Sequence, residues 1–274
     1  MSIKIRGIEY HFNQHQFDET LPNLVLLHGF LGSGEVYGDL ISKLCKFCNP
    51  VTVDLLGHGQ TDGAEMHYRF STREQVADLA KLIREQLTIP PVFLYGYSMG
   101  ARLALQLGLH HPELFQGLVL ESGTFGIEGE TERLARQSLD ATRADSIIGA
   151  FEGFLSDWET MPMFETEIST QKYTAIQRAQ NPVWMANSLL GFGTGTMPCV
   201  REQLPAFQLP VQLIAGKSDR TFIRINQTMN RELPNSTLAI IPESGHRVHL
   251  DQPQKLVEIL DTFIAQHQLP DLEP

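Results

Sequence analysis

Short runs of apolar residues alternate with helical patterns along most of the chain. The apolar runs are residues 24–27, 51–53, 92–95, 118–120, 211–214 and 237–241. Nearly continuous apolar strands that alternate with helices are typical of a mostly parallel sheet with helices on both faces. Apolar residues at helical spacing predict helices over 72–87 and about 252–267, and alternation over residues 2–14 predicts an opening hairpin. The pattern therefore predicts an α/β fold.

The strand pattern stops between residues 125 and 203. This stretch is helical and polar, with aromatic residues scattered through it and a glycine-rich segment near its end. We predict that residues 125–203 form a helical lid, inserted before the last strands into a core made of residues 1–124 and 204–274. Because open α/β sheets bind ligands at the carboxyl ends of their strands, a lid at this point would cover the binding site.

Composition narrows the class of protein and of partner. The chain has 274 residues, of which 42% are hydrophobic and 19% charged, which suits one large α/β domain without extensive disorder. Its formal net charge of −11 argues against nucleic acid or an anionic membrane as the main partner. The N-terminus has no apolar signal segment, and no apolar stretch approaches the length of a membrane span. We expect a cytoplasmic enzyme or binding protein with no membrane insertion.

The three cysteines, Cys45, Cys48 and Cys199, do not fit a secreted disulfide scaffold, because their number is odd and small. Cys45 and Cys48 form a C-x-x-C pair, which raises metal and redox roles. A zinc site of this type needs a second pair, and the sequence has none. We therefore expect structural cysteines and no metal site.

The segment Gly96-Tyr97-Ser98-Met99-Gly100 matches the nucleophile elbow G-x-S-x-G. In this motif the serine takes a strained backbone conformation, and the glycines let the strand and the helix approach each other closely. The five letters alone arise often by chance. Their context favours the functional interpretation, since an apolar strand precedes them and a helical pattern follows.

A serine hydroxyl becomes reactive when an imidazole takes its proton and a carboxylate orients that imidazole. His246 follows the last strand, Asp219 follows the strand at 211–214, and the order Ser98, Asp219, His246 is that of α/β-hydrolase triads. We assign His249, three residues later, a structural or supporting role. An oxyanion hole needs two backbone N–H groups, which we assign to Met99, after the serine, and to Phe30, after an early strand.

These motifs together resemble the α/β-hydrolase superfamily over nearly the whole chain. Three longer segments, residues 96–102, 121–126 and 132–137, are similar to the 2-succinyl-6-hydroxy-2,4-cyclohexadiene-1-carboxylate synthase family. The resemblance implies a lyase that eliminates pyruvate from the tricarboxylate 2-succinyl-5-enolpyruvyl-6-hydroxy-3-cyclohexene-1-carboxylate in menaquinone or phylloquinone biosynthesis, with no cofactor. Ala101 departs from the glycine that is frequent in the family, and a helix tolerates that change.

The same resemblance implies substrate-binding roles for Tyr97, Arg102, Arg136, Trp158 and Arg178. Arginine suits a tricarboxylate because its planar guanidinium donates two parallel hydrogen bonds to a carboxylate. Residues 125–203 hold five arginines and one lysine, and Arg102 lies one helical turn beyond the serine. From the residues alone, a surface ion pair is the more common role for each arginine, and Trp158 fits the interior of the lid equally well.

We therefore interpret the chain as a lyase in which the serine is a general base. An esterase or a carbon–carbon bond hydrolase is the main alternative, and it would use the same serine as a nucleophile that forms an acyl-enzyme. A receptor-like binding protein could retain the fold without turnover. A structural protein is the weakest alternative, because it has no need of three ordered triad residues.

Overall fold

The structure, a computed structural model, describes residues 1–87, 92–166 and 170–268. The strands in these ranges are β1 (Ser2–Ile5), β2 (Ile8–Gln14), β3 (Asn23–Leu27), β4 (Asn49–Val53), β5 (Val92–Tyr97), β6 (Gly117–Glu121), β7 (Val211–Gly216) and β8 (Ser236–Ile241). They form one sheet in the order β1-β2-β4-β3-β5-β6-β7-β8. β1 and β2 form the predicted hairpin, β2 pairs antiparallel with β4, and the other pairs are parallel. The predicted mostly parallel sheet is confirmed.

Helices cover both faces of this sheet. They are α1 (Gly38–Leu44), α2 (Thr72–Gln86), α3 (Met99–His110), α4 (Glu130–Gly149), α5 (Phe151–Glu159), α6 (Gln171–Arg178), α7 (Pro182–Phe192), α8 (Arg220–Glu232), α9 (Val248–Asp251) and α10 (Pro253–His267). Side chains of α1 and α10 join one apolar core, and those of α2, α3 and α8 join the other. Every residue of β3, β5 and β6 is buried, as expected for strands covered on both faces. Within the described residues, none of the helices is both long and apolar enough to cross a membrane.

The chain between β6 and β7 contains α4, α5, α6 and α7, and its described residues include no strand. α4, α5 and α7 share a small apolar cluster with Leu31, to which Ile147, Leu155, Met185 and Leu189 contribute. The buried residues Tyr173 and Ile176 of α6 join the core of α1 and α10 instead. The division at residues 124/125 and 203/204 stays a prediction. A short 3-10 helix at Arg201–Ala206 lies across the second boundary, so the helical lid segment passes into the core without an abrupt break.

Cys48 is fully buried in the apolar core beneath α1 and α10, and its Sγ donates a hydrogen bond to the Leu44 carbonyl at 3.4 Å. Burial raises the pKa of the thiol far above its ordinary value. Such a thiol stays protonated and behaves as a small apolar side chain.

We expect Cys48→Ala to lower the free energy of unfolding by about 1 kcal/mol, because a buried sulfur is lost, and to leave turnover within about twofold of wild type. Denaturant unfolding and steady-state kinetics measure the two effects. A loss of turnover with the fold intact would contradict the structural interpretation of this cysteine.

Candidate active site

Ser98 lies at the tip of the turn between β5 and α3, and its φ angle of 51° falls in the left-handed region. This conformation costs energy in a residue with a side chain, and it is typical of a functional serine. The flanking glycines have no room for a side chain. A Cβ at Gly100 would lie 2.2 Å from the Leu27 carbonyl oxygen, and one at Gly96 would lie 2.4 Å from the oxygen of Gly100. The elbow therefore requires both glycines.

Ser98, His246 and Asp219 form a continuous chain of hydrogen bonds. The Nε2 atom of His246 lies 2.9 Å from the Ser98 hydroxyl, and Nδ1 lies 2.6 Å from Oδ2 of Asp219. Because a carboxylate only accepts hydrogen bonds, Nδ1 carries the hydrogen and Nε2 accepts from the serine. Burial lowers the pKa of His246, against the opposing effect of Asp219. The imidazole is thus neutral and ready to take a proton.

Several groups hold His246 in place. Its ring makes edge-to-face contacts with the rings of Phe222 and Tyr97, at centroid distances of 4.5 Å and 5.5 Å. Its backbone N–H donates to the Met163 carbonyl at 3.2 Å, and its carbonyl accepts from the hydroxyl of Ser122 at 3.0 Å. Met163 belongs to the lid segment, so the lid segment contacts the loop of the imidazole directly.

A cavity of about 330 Å³ opens beside Ser98 and His246, under the lid segment. Its wall is largely apolar and aromatic, and Trp158 forms part of it. Three guanidinium groups, those of Arg102, Arg136 and Arg143, also line it. Among the described residues that line this cavity, none is Asp or Glu. An acidic protein thus surrounds a cationic cavity, which suits an anionic ligand.

Arg102 reaches the cavity from α3. Its Nη1 donates to the Phe192 carbonyl at 2.8 Å, and its guanidinium lies 4.7 Å from the centroid of the Phe192 ring. No carboxylate of the described residues lies within ion-pair distance of it. Burial, and after it the charge of Arg136, lowers the pKa of Arg102. Because a guanidinium stays protonated in proteins, this desolvated cation would be stabilised by a bound carboxylate.

The loop after β3 carries Phe30, the predicted oxyanion donor, and is held by a buried histidine. Nε2 of His28 accepts from the N–H of Leu55 at 3.0 Å, so Nδ1 donates to the Gly29 carbonyl at 2.8 Å. Burial lowers the pKa of His28 to about 4, which keeps it neutral. Phe30 and Met99 both line the cavity with Ser98, and Met99 is the first residue of α3, where N–H groups have no partner inside the helix.

Comparison with known proteins decides the family. Residues 22–253 match the family model described as alpha/beta hydrolase fold. The chain is 36% identical over 248 residues to the putative 2-succinyl-6-hydroxy-2,4-cyclohexadiene-1-carboxylate synthase of Bacillus subtilis (strain 168), which covers 88% of this chain and 90% of that protein. The chain belongs to this synthase family of the α/β-hydrolase fold. The resemblance drawn from the motifs is confirmed.

Further relatives of the synthase family agree. The 2-succinyl-6-hydroxy-2,4-cyclohexadiene-1-carboxylate synthase of Serratia proteamaculans is 27% identical over 254 residues, covering 91% of this chain and 96% of that protein. The structure of MenH from S. aureus superposes with a TM-score of 0.87 at 30% identity, covering 94% of this chain and 98% of that one. A thermophilic esterase from Thermogutta terrifontis, at 20% identity, has a TM-score of 0.82, covers 98% of this chain and 100% of that one, and shares the fold alone.

Most of the predicted site residues line one cavity, and three do not. Asp219 is buried and bonds to Nδ1 of His246, as a triad carboxylate does. Arg178, at the end of α6, pairs with Glu152 at 3.0 Å, and its side chain is 60% exposed to solvent. It does not line the cavity, because this end of α6 faces outward. Tyr97 is buried and packs against the rings of His246 and His249 instead of facing the cavity. Tyr97 therefore contacts the imidazole of His246 and does not line the cavity.

One ion pair and one buried hydrogen bond of the site are absent from the sequence-based prediction. Arg247 binds Glu159 of α5 through two hydrogen bonds, of 2.8 Å and 2.6 Å, and its guanidinium stacks on Phe164 at 4.0 Å. This ion pair therefore joins the lid segment to the loop that carries His246. His249 donates from Nδ1 to Glu121 at 2.8 Å, deep in the core, which agrees with its predicted supporting role.

The charged side chains that line the cavity suit anions rather than cations. In the ranges that the structure describes, no group of three or more His, Cys, Asp or Glu side chains is arranged to hold a metal ion. The charges that face the cavity are guanidinium groups, which bind anions and repel cations. The arrangement can move a proton between Ser98 and His246 and can bind carboxylates.

Proposed function

We propose that the protein eliminates pyruvate from 2-succinyl-5-enolpyruvyl-6-hydroxy-3-cyclohexene-1-carboxylate to give 2-succinyl-6-hydroxy-2,4-cyclohexadiene-1-carboxylate. One observation carries the proposal: the Ser98–His246–Asp219 relay, whose imidazole and carboxylate are buried, opens into a cavity lined by three guanidinium groups and, among the described residues, by no carboxylate. A substrate with three carboxylates complements that charge. We place the reaction in menaquinone or phylloquinone biosynthesis, and we expect a cytoplasmic enzyme without a nucleic-acid partner.

The proton moves first. The Ser98 oxygen removes the ring proton next to the succinyl carbonyl while His246 Nε2 takes the hydroxyl proton, so the serine stays neutral overall. Asp219 stabilises the imidazolium that forms. The electrons of the broken C–H bond first form an enolate with the succinyl carbonyl. When that carbonyl re-forms, the electrons make a double bond to the next ring carbon, the existing ring double bond shifts by one carbon, and the C–O bond to the enolpyruvyl group breaks. The group leaves as the enolate of pyruvate and becomes pyruvate on protonation at carbon, and the imidazolium of His246 gives up its proton to complete the cycle.

Negative charge builds on the succinyl carbonyl oxygen as the ring proton leaves. We propose that the N–H groups of Phe30 and Met99 donate to this oxygen. General base catalysis accounts for about 10² to 10⁴ of a rate enhancement, so charge stabilisation and orientation must supply the rest. Arg102 and Arg136 supply orientation by holding carboxylates, and Trp158 forms an apolar wall for the ring.

The direct test is to incubate the purified protein with the tricarboxylate and to measure pyruvate with lactate dehydrogenase and NADH. We expect pyruvate in an amount equal to the substrate consumed. An enzyme that gives no pyruvate but shows a burst of product on an activated ester would be an esterase with Ser98 as nucleophile. A Ser98→Ala variant is the control for pyruvate that is released without catalysis.

The pH dependence of the reaction should follow the neutral form of His246. Burial lowers the pKa of this imidazole below its ordinary value of 6.5. Because only the neutral ring accepts the serine proton, kcat/KM should be constant around pH 7 and fall on the acid side of pH 6.5. Initial rates of pyruvate release between pH 5 and pH 8 measure this fall of kcat/KM. A fall with its midpoint above pH 7 would contradict the assignment of a buried neutral imidazole as base.

A further inference from the structure

Arg143 is a cation of the cavity wall that neither the motifs nor the family resemblance assigns. It lies on α4, three residues after Asp140 and seven after Arg136. Residues at this spacing share one face of a helix. Arg136 and Arg143 both line the cavity. Asp140, which lies between them in the sequence, is buried. One helix face thus carries two guanidinium groups that line the cavity and a buried carboxylate that does not line it.

The carboxylate does not balance both cations. Nε of Arg136 donates to the two oxygens of Asp140 at 2.9 Å and 3.0 Å, whereas Nη1 of Arg143 is 3.5 Å from one of them. With Arg102, which has no carboxylate partner among the described residues, three guanidinium groups face one carboxylate. Positive charge is therefore left over, and Arg143 has the weaker bond to Asp140.

The environment of Arg143 makes this excess charge costly unless an anion is bound. Burial, and after it the charge of Arg136, lowers the pKa of Arg143. Its guanidinium lies 5.4 Å from the centroid of the Trp158 ring, and its Nη2 is 3.8 Å from the sulfur of Met161. These neighbours orient the group without neutralising it. Only 23% of the side chain is exposed to solvent.

We propose that Arg143 binds one carboxylate of the substrate from the lid side of the cavity. The inference rests on the proposed function, since it needs an anionic substrate in this cavity. Arg143 lines the cavity, whereas Arg178, to which the resemblance assigned substrate binding, lies at the surface. Asp140 then acts as a fixed partner that holds Arg136 and leaves the guanidinium of Arg143 available for the ligand.

The test replaces Arg143 by methionine, which keeps the length of the side chain and removes its charge. Arg133→Met is the matched control, because Arg133 is an exposed arginine on the same helix, one turn before Arg136, and does not line the cavity. We expect Arg143→Met to raise KM for the tricarboxylate by about 10- to 100-fold and to change kcat by less than about threefold. Arg143→Lys should recover part of the loss, because it restores the charge without the planar fork.

A second experiment measures binding of the tricarboxylate in the absence of turnover. We would titrate the tricarboxylate into Ser98→Ala and into Ser98→Ala/Arg143→Met by calorimetry. The Kd of the double variant should be about 10- to 100-fold higher than that of Ser98→Ala. An unchanged Kd and KM, or an equal rise of KM in Arg133→Met, would overturn the role of Arg143. If wild type binds the tricarboxylate but releases no pyruvate, the proposed function fails while the titration still decides on Arg143. Arg143→Lys serves in both assays if the methionine variant does not fold.

Discussion

Replacing Ser98 by alanine is expected to lower kcat for pyruvate release by about 10³-fold or more, with KM changed by less than about threefold. The hydroxyl is 2.9 Å from His246 Nε2 and is the group that would contact the ring proton. Its removal leaves the imidazole without a relay to the substrate, while the cationic cavity that binds the carboxylates is intact. Single-turnover measurements of pyruvate separate this effect from slow product release.

Ser188→Ala is the matched control for the serine, because Ser188 lines the same cavity and its hydroxyl contacts the sulfur of Met99 at 3.8 Å rather than a base. It should keep kcat within about threefold of wild type. A Ser98→Ala enzyme with more than a tenth of wild-type kcat would show that another group removes the proton. Accumulation of a covalent intermediate on wild-type Ser98 would instead indicate a nucleophilic mechanism.

Replacing Arg102 by methionine is expected to lower kcat/KM for the tricarboxylate by about 100-fold or more, because a charge-assisted pair with a carboxylate is lost in the cavity. If the enzyme also hydrolyses a neutral activated ester, kcat/KM for that ester should fall much less. The guanidinium also donates to the Phe192 carbonyl, so a fall in thermal stability is expected as well. Circular dichroism before each assay confirms that the variant is folded.

Arg178→Met is the comparison that separates position from charge. Arg178 is exposed and paired with Glu152, so we expect kcat/KM to change by less than about threefold. Equal losses in the Arg102 and Arg178 variants, or equal losses of Arg102→Met on the tricarboxylate and the neutral ester, would contradict a specific carboxylate role for Arg102. The first outcome would indicate a general effect of positive charge, and the second would indicate a disturbance of the site that is independent of substrate charge.

The triad was predictable from the sequence because each member follows a predicted strand of the sheet. Apolar runs identify the strands, and the carboxyl ends of parallel strands meet at one edge of the sheet. Ser98 also has a local backbone signal, since the glycines beside it are required by a close approach of strand and helix. Asp219 and His246 have no such signal of their own. They were identified instead by their order along the chain and by their positions after β7 and β8.

Side-chain direction in the lid segment was less predictable. Arg178 and Arg143 both lie on helices rich in polar residues, and nothing local distinguishes the outward one from the one at the cavity. Which face of α6 turns inward depends on its packing against α5 and the core, which is tertiary information. The pair of Arg247 with Glu159 joins residues 88 positions apart. A single sequence contains no periodicity that would link them.

The lid segment leaves the core after β6 and returns at β7, and these strands are neighbours with Glu121 opposite Ile214. The entropy of closing such an excursion rises only slowly with its length. Insertions and exchanges of helices here would therefore disturb the sheet little, and substrate range can diverge among descendants of one ancestor while the proton relay is inherited unchanged. The bonds of Met163 and Glu159 to the His246 loop set a condition on any transplanted lid, which must supply equivalent partners.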